Sequence, residues 1–180
     1  TGLGPGTASG VTAEGGVVVG GGSGAAAFGS QAFRWTSADG RVPFGVLPGY
    51  TMSSASAVSA DGSVVVGSSS GYFPSPTSQA FRWTSAGGML GLGVLPGQSG
   101  SSAAAVSGDG AVVVGSSRNE SKYGSEAFLW TSTGGMVGLG HLPTDSPSTR
   151  NSSAVGVSAD GSVVVGNSTS GPYLGVAPFV

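Results

Sequence analysis

The sequence contains VSADGSVVVG at residues 58–67 and returns to this stretch, with small changes, three more times. The other copies are VTAEGGVVVG at 11–20, VSGDGAVVVG at 106–115 and VSADGSVVVG at 157–166. Successive copies begin 47, 48 and 51 residues apart. A period of this length indicates a repeat architecture, in which each repeat is one small folded unit that buries its apolar side chains against its neighbours.

Two further motifs follow in the same order within the repeats. The first is QAFRWT at 31–36 and 79–84, with EAFLWT at 126–131. The second is PFGVLPG at 43–49, GLGVLPG at 91–97 and GLGHLPT at 138–144. We therefore expect one domain over residues 1–180, with repeats at about 11–57, 58–105, 106–156, and 157–180 joined by 1–10.

Each repeat is predicted to contain four short β-strands. The dipeptide Asp61-Gly62 is typical of a two-residue type I′ hairpin turn, in which both residues have positive φ. The following run, Val64 to Val66, is apolar on both faces, which favours a strand buried on both sides. In the third strand, Phe81 and Trp83 are two residues apart and so point to one face of the sheet.

A unit of four strands in about 48 residues has the size of a β-propeller blade. Blades pack face to face, which would bury both faces of the valine-rich strands. The sequence thus predicts an all-β, propeller-like fold of four repeats. A β-trefoil or β-prism, which closes with three units, and a stacked β-solenoid are the alternatives.

The phase of the repeat predicts that the two ends of the chain complement each other. The start resembles a shortened fourth strand, and the end has a Phe at the spacing of a third strand. The fourth repeat would then be completed by the N-terminal strand, either within one molecule or between two molecules. The residues expected in these assembly or closure strands are Gly2, Leu3, Gly4, Ala177, Phe179 and Val180.

The composition limits the classes of partner. Only 8% of residues are charged, the formal net charge is −2, and the six basic residues form no cluster. Nucleic-acid binding depends on clustered positive charge, so we expect no nucleic-acid partner. No apolar run approaches the ~20 residues of a membrane-spanning helix, so we also expect no membrane span. There is no cysteine, and hence neither a disulfide nor thiolate chemistry.

With VSADGSVVVG, EAFLWT and GMVGLGHLP in this order, the sequence resembles the HAF-type bacterial extracellular repeat family. The resemblance implies a secreted or surface-exposed bacterial protein, and it brings no established catalytic residues. The sequence departs from the pattern in two places. The fourth repeat lacks the usual aromatic pair, and Leu129 stands where the other repeats have Arg34 and Arg82.

Residues that could carry chemistry are few. Glu14, Asp61, Asp109 and Asp160 recur at one hairpin position as single carboxylates, whereas calcium takes 6–8 oxygen ligands. His141 is the only histidine, which leaves neither a catalytic triad nor a zinc site to compose. We therefore expect no enzyme activity, no catalytic, metal or cofactor-binding residues, and no cofactor.

These observations favour a non-enzymatic extracellular or cell-surface module that assembles with other copies of itself into a fibre or array. The alternative is a closed propeller that binds surface glycans or another partner as an adhesin or lectin-like module. Its binding loops would be the variable stretches at 21–30, 68–78, 116–125 and 144–153.

Overall fold

A computed structural model describes residues 4–23, 29–71, 77–119, 124–142, 150–170 and 175–179. All regular structure in these ranges is β-strand. The strands in chain order are β1 (Thr7–Val11), β2 (Val18–Ser23), β3 (Ser30–Thr36), β4 (Gly40–Pro43), β5 (Met52–Val58), β6 (Val64–Ser70), β7 (Ser78–Thr84), β8 (Gly88–Gly91), β9 (Gly100–Val106), β10 (Val112–Arg118), β11 (Ser125–Thr131), β12 (Gly135–Gly140), β13 (Ser152–Val157), β14 (Val164–Ser170) and β15 (Gly175–Phe179).

The strands form four antiparallel sheets, which we call blades one to four. In the first three blades, four consecutive strands lie side by side in chain order. The fourth blade has the order β13-β14-β15 and contains three strands in the part of the chain that the structure describes. Within a blade, the third strand pairs with the second so that a phenylalanine lies opposite a glycine. These pairs are Phe33–Gly20, Phe81–Gly67, Phe128–Gly115 and Phe179–Gly166.

Each blade begins several residues before the boundary expected from the sequence repeat. The first strand of blade two runs from Met52 to Val58, whereas the repeat boundary falls between Ala57 and Val58. In the same way, Thr7 to Gly10 belong to β1 of blade one and do not complete the fourth repeat. The expected joining of residues 1–10 to the fourth repeat is therefore wrong for residues 7–10, which pair with β2 of blade one.

Consecutive blades pack face to face, and the apolar core lies between them. We call the face of a blade that packs on the preceding blade its leading face, and the opposite one its trailing face. Between blades one and two, Val19 and Ala32 meet Val65 and Phe81; between blades two and three, Val64 and Val66 meet Val113 and Phe128. A smaller cluster joins blades three and four. The valine triplet of blade two is buried on both faces, as the sequence predicts.

A β-bulge recurs in the first strand of every blade, which the sequence did not predict. The register skips one residue at Ser9, Ser56, Ala104 and Val155. The bulge brings the carbonyl of Ser54 against the Cα of Gly67, and a Cβ on Gly67 would lie 2.0 Å from that oxygen. Glycine is therefore required at this position, since any side chain would collide with the neighbouring strand.

The hairpin that joins the first two strands of a blade is not the predicted two-residue type I′ turn. Only the glycine has positive φ (73° at Gly62), and no other residue type has positive φ in the described ranges. The Gly62 N–H donates to the Ser59 carbonyl, and the Ser59 N–H donates to Val64, so the loop holds four residues. The prediction was wrong because the Asp61 side chain stabilises the longer loop through its own hydrogen bonds.

Strand order and packing together define an all-β, propeller-like fold. A β-trefoil or β-prism would close its strands in three units, whereas the described strands form four consecutive sheets. Extensive packing runs from each blade to the next, and none joins blade one to blade four within the described residues. Among the described residues, extensive packing therefore joins only consecutive blades, and valines on one face of blade four are partly exposed.

Candidate functional site

Each contact between consecutive blades, which we call a seam, contains one buried serine from the first strand of the following blade. These seam serines are Ser53, Ser101 and Ser152. The hydroxyl of Ser101 accepts the backbone N–H of Ala80 at 2.9 Å and donates to the Gly93 carbonyl at 2.6 Å. Ser53 and Ser152 make the same two bonds, with Ala32 and Gly45 and with Ala127 and Gly140.

A second serine, on the second strand of the following blade, receives the connection from the preceding blade. Ser69, Ser117 and Ser168 each accept the backbone N–H of a leucine at 3.1 Å, namely Leu47, Leu95 and Leu142. All three serines are buried. A buried polar group without a partner is costly, so these bonds fix how each connecting segment enters the next blade.

The arginine of the QAFRWT motif also reaches across a seam. The Nε–H of Arg34 donates to the Gly62 carbonyl at 3.3 Å, and that of Arg82 donates to the Gly110 carbonyl at 3.2 Å. In the third seam Leu129 occupies the equivalent position and packs in the apolar cluster. The arginine therefore connects the third strand of one blade to the hairpin of the next.

The hairpin carboxylates Asp61, Asp109 and Asp160 each accept a hydrogen bond from a serine hydroxyl. One oxygen of Asp61 accepts the hydroxyls of Ser59 and Ser63 and the Ser63 N–H, at 2.6–3.0 Å. The hydrogen bond from Ser59, followed by those from Ser63, lowers the pKa of Asp61 to about 2. Ser158 and Ser162 lower the pKa of Asp160 to about 2 in the same way, and Ser107 lowers the pKa of Asp109.

Two small cavities lie at the seams. One of about 270 Å³ lies between blades one and two and is lined by Arg34, Asp61 and Trp83 with Ser63 and Ser85. The guanidinium and the carboxylate that line it already make structural hydrogen bonds, and Phe44 stacks on the Trp83 ring with 4.0 Å between centroids. The second cavity, of about 230 Å³, lies between blades three and four and is lined by serine, threonine and asparagine.

No group of acidic, histidine or cysteine side chains suited to a metal occurs among the residues that the structure describes. The His141 ring nitrogen Nε2 lies 2.9 Å from the Ser125 carbonyl, in the connection between blades three and four. No helix in the described ranges is long and apolar enough to cross a membrane.

The trailing face of blade four carries uncovered valines. Val163 is 43% exposed and Val165 is 41% exposed, whereas Val64 and Val66 at the same positions of blade two are 3% exposed or less. Val155, at the bulge of β13, is also exposed. Within the described part of the chain no strand pairs with the outer edge of β15.

The N-terminal segment and Arg41 cover the leading face of blade one. The Arg41 guanidinium lies 4.4 Å from the centroid of the Phe33 ring and donates to the Pro5 carbonyl at 3.0 Å. Met89 and Met136 stand at the equivalent positions of blades two and three. Arginine replaces methionine here where no blade precedes in the described chain, and it keeps its charge in contact with the aromatic face.

The predicted assembly residues lie as follows. Ala177 and Phe179 are in β15, the third strand of blade four. Gly4 precedes β1 and is not in a strand, so the described N-terminal residues do not form a fourth strand on blade four. Gly2, Leu3 and Val180 lie outside the described residues, as do the central parts of the variable loops predicted to bind ligands, which are residues 24–28, 72–76, 120–123 and 143–149.

Sequence reasoning missed the seam serines. They occur five residues before the first valine of the VSADG motif or its variant in repeats two to four, and this constant spacing is the signal that could have identified them. The constant spacing is hard to recognise from the sequence because serine is abundant throughout the chain. The position is glycine, Gly6, in blade one.

The fold is similar to that of several solved structures, two of which are described here. TolB from Acinetobacter baumannii superposes with a TM-score of 0.53 at 15% identity, over 92% of this chain and 40% of that chain. The putative TolB from Agrobacterium tumefaciens gives a TM-score of 0.56 at 16% identity, over 91% of this chain and 53% of that one. The chain thus spans about half the length of these proteins or less.

These likenesses support the propeller-like arrangement of sheets, and at such low identity they define the fold alone. No protein-family model matches the sequence, and no curated protein is similar to it in sequence. The resemblance to HAF-type repeats therefore stays a prediction.

Proposed function

We propose that the chain is a non-enzymatic structural module that associates with other copies of itself through its terminal blades, as a subunit of an extracellular or cell-surface fibre or array. One observation carries the proposal. Val163 and Val165 are exposed on blade four, at positions that a following blade covers in the interior of the molecule. Covering both would contribute about 1 kcal/mol each, since full burial of a valine is worth about 1.5–3 kcal/mol.

A second copy is the occupant that best fits this face. The trailing faces of blades one, two and three are each covered by the leading face of a blade from the same repeat series. The blade-four face continues this series, with Val163 and Val165 at the same spacing. A chain with only 8% charged residues and a net charge of −2 offers little electrostatic repulsion between copies.

The test measures the oligomeric state over a range of protein concentrations. Sedimentation velocity gives the size of the particles, and negative-stain microscopy gives their shape. We expect the wild type to associate as concentration rises and to form head-to-tail assemblies. Val165→Glu places a charge on the uncovered face and should remain monomeric. Val137→Glu, at an exposed valine on the outer strand β12, is the matched control and should associate like the wild type. A wild type that is monomeric at every concentration would contradict the proposal.

The cavity between blades one and two favours a second candidate, a carbohydrate-binding module. Trp83 offers an aromatic surface, and Asp61 and Arg34 offer hydrogen-bonding groups beside it. A cavity of about 270 Å³ is at the small end of ligand sites. Glycan-array binding that Trp83→Ala abolishes would favour this function, and binding at background level would exclude it.

A further inference from the structure

The hydrogen bonds that join the interior seams have no counterpart at either end of the blade series. In every interior seam, a serine hydroxyl accepts the N–H of an alanine in the third strand of the preceding blade. The alanine position of blade four is Pro178, which has no N–H. The serine position of blade one is Gly6, which has no hydroxyl.

The strand register establishes both equivalences. Ala80 pairs with Ser68, and Ala127 pairs with Ser116, which follow Gly67 and Gly115 directly. Pro178 pairs with Asn167, which follows Gly166 in the same way. At the other end, Thr7 pairs with Gly21 just as Ser54 pairs with Ser68, so that Gly6 precedes β1 at the place where Ser53 precedes Ser54 in β5.

The backbone at Gly6 also excludes a seam serine. Gly6 has φ of +155°, and a Cβ at this residue would lie 2.7 Å from the Gly21 carbonyl oxygen. The second interior serine is missing here too, because Gly22 stands at the position of Ser69, and a Cβ on Gly22 would lie 2.6 Å from the Pro5 carbonyl oxygen. Among the described blades, blade one is therefore the one whose leading face carries neither of the two serines found in the interior seams.

We infer that the trailing face of blade four selects the leading side of blade one from a second copy, with Gly6 facing Pro178. A blade of the interior type would bring a serine whose hydroxyl finds no N–H at Pro178, and so it would lose a bond that every interior seam makes. Blade one brings no serine hydroxyl to this position and so loses no such bond. The selectivity therefore arises because a blade of the interior type would leave its serine hydroxyl without the N–H that it accepts in the interior seams. This inference rests on the proposed self-association and adds the contact that specifies it.

The substitution Pro178→Ala tests the inference, because it adds an N–H that no hydroxyl at residue 6 can accept. We expect the dissociation constant for self-association, measured by sedimentation, to rise roughly 5- to 100-fold, since an unpaired buried N–H is costly. Pro43→Ala, on the exposed outer strand β4, is the matched control for the lost proline and should associate like the wild type.

Association of Pro178→Ala at the wild-type affinity would overturn the inference and leave the proposed self-association in place. A wild type that never associates would overturn both. In that case, the midpoints of thermal unfolding of the two variants are compared. A Pro178→Ala monomer that unfolds well below Pro43→Ala would indicate that blade four and blade one meet within one molecule. Equal dilute-solution midpoints together with weakened association are the result that supports a second copy as the partner.

Discussion

The hydroxyl of Ser101 lies 2.9 Å from the backbone nitrogen of Ala80, in the preceding blade, and accepts its hydrogen bond. Ala80 is in β7, and its carbonyl accepts the Leu92 N–H from the segment that leaves β8. Ser101 therefore lies where the chain leaves β8, the outer strand of blade two, and no longer pairs with β7 as a strand. A single side chain from the next blade completes the hydrogen bonding of the blade before it.

Ser101→Ala should destabilise the protein by about 1–3 kcal/mol, because it leaves the buried Ala80 N–H and the Gly93 carbonyl without this partner. The measurement is the free energy of unfolding from urea titration. Ser102→Ala is the matched control, since the hydroxyl of this neighbouring, half-buried serine makes no hydrogen bond within the described residues. Equal losses for the two variants would contradict the role given to Ser101.

Arg82→Leu should cost less than about 1 kcal/mol of unfolding free energy, even though it removes a hydrogen bond across a seam. The reason is that Leu129 occupies the equivalent position in the third seam and packs there with apolar neighbours. The same urea titration measures the loss, with Arg150→Leu at an exposed site as the reference. A loss above about 2 kcal/mol would show that the second seam depends on the arginine in a way the third does not.

Gly67→Ala should destabilise the protein by at least about 2 kcal/mol, because the added Cβ would lie 2.0 Å from the Ser54 carbonyl and 2.9 Å from the Phe81 ring. Gly16→Ala is the comparison, since a Cβ there meets nothing within 4 Å. Thermal unfolding distinguishes the two variants. If Gly67→Ala kept the wild-type midpoint, the bulge in β5 could not approach β6 as closely as described.

The hairpin carboxylates should make stability depend on pH only in acid. The folded-state pKa of Asp61 is lowered from 3.8 to about 2, so its contribution is present above pH 4 and is lost as pH falls toward 2. The difference in thermal midpoint between wild type and Asp61→Ala should thus be constant above pH 4 and shrink below it. A difference that stayed constant down to pH 2 would contradict the hydrogen bonding described for Asp61.

The strands and their buried faces could be predicted because both determine which side chains are apolar along the sequence. The β-branched run at Val64 to Val66 predicted a strand buried on both sides, and Phe81 and Trp83 predicted one shared face. Both appear in the interior blades. The same reasoning gave the third strand at the end of the chain, where Phe179 lies opposite Gly166.

The features that the sequence could not predict are set by the backbone and by tertiary contacts. A bulge at Ser56 adds one residue to a strand without any distinctive side chain. The hairpin at Asp61 follows the hydrogen bonds of its carboxylate, which override the turn preference of an Asp-Gly pair. Ser101 differs from its many neighbouring serines only through the alanine and glycine it meets in another blade.

The direction of the seam bonds sets an order for folding during synthesis. The N–H of Ala80 is paired by a residue that leaves the ribosome 21 residues later, as is that of Ala32, while Ala127 is paired by a residue 25 positions later. At 5–20 residues per second, each new blade spends roughly one to five seconds with a donor unpaired. We therefore expect each blade to complete its hydrogen bonding only after the first strand of the next blade has been synthesised. The rate of translation would then set how long each blade remains without its partner serine.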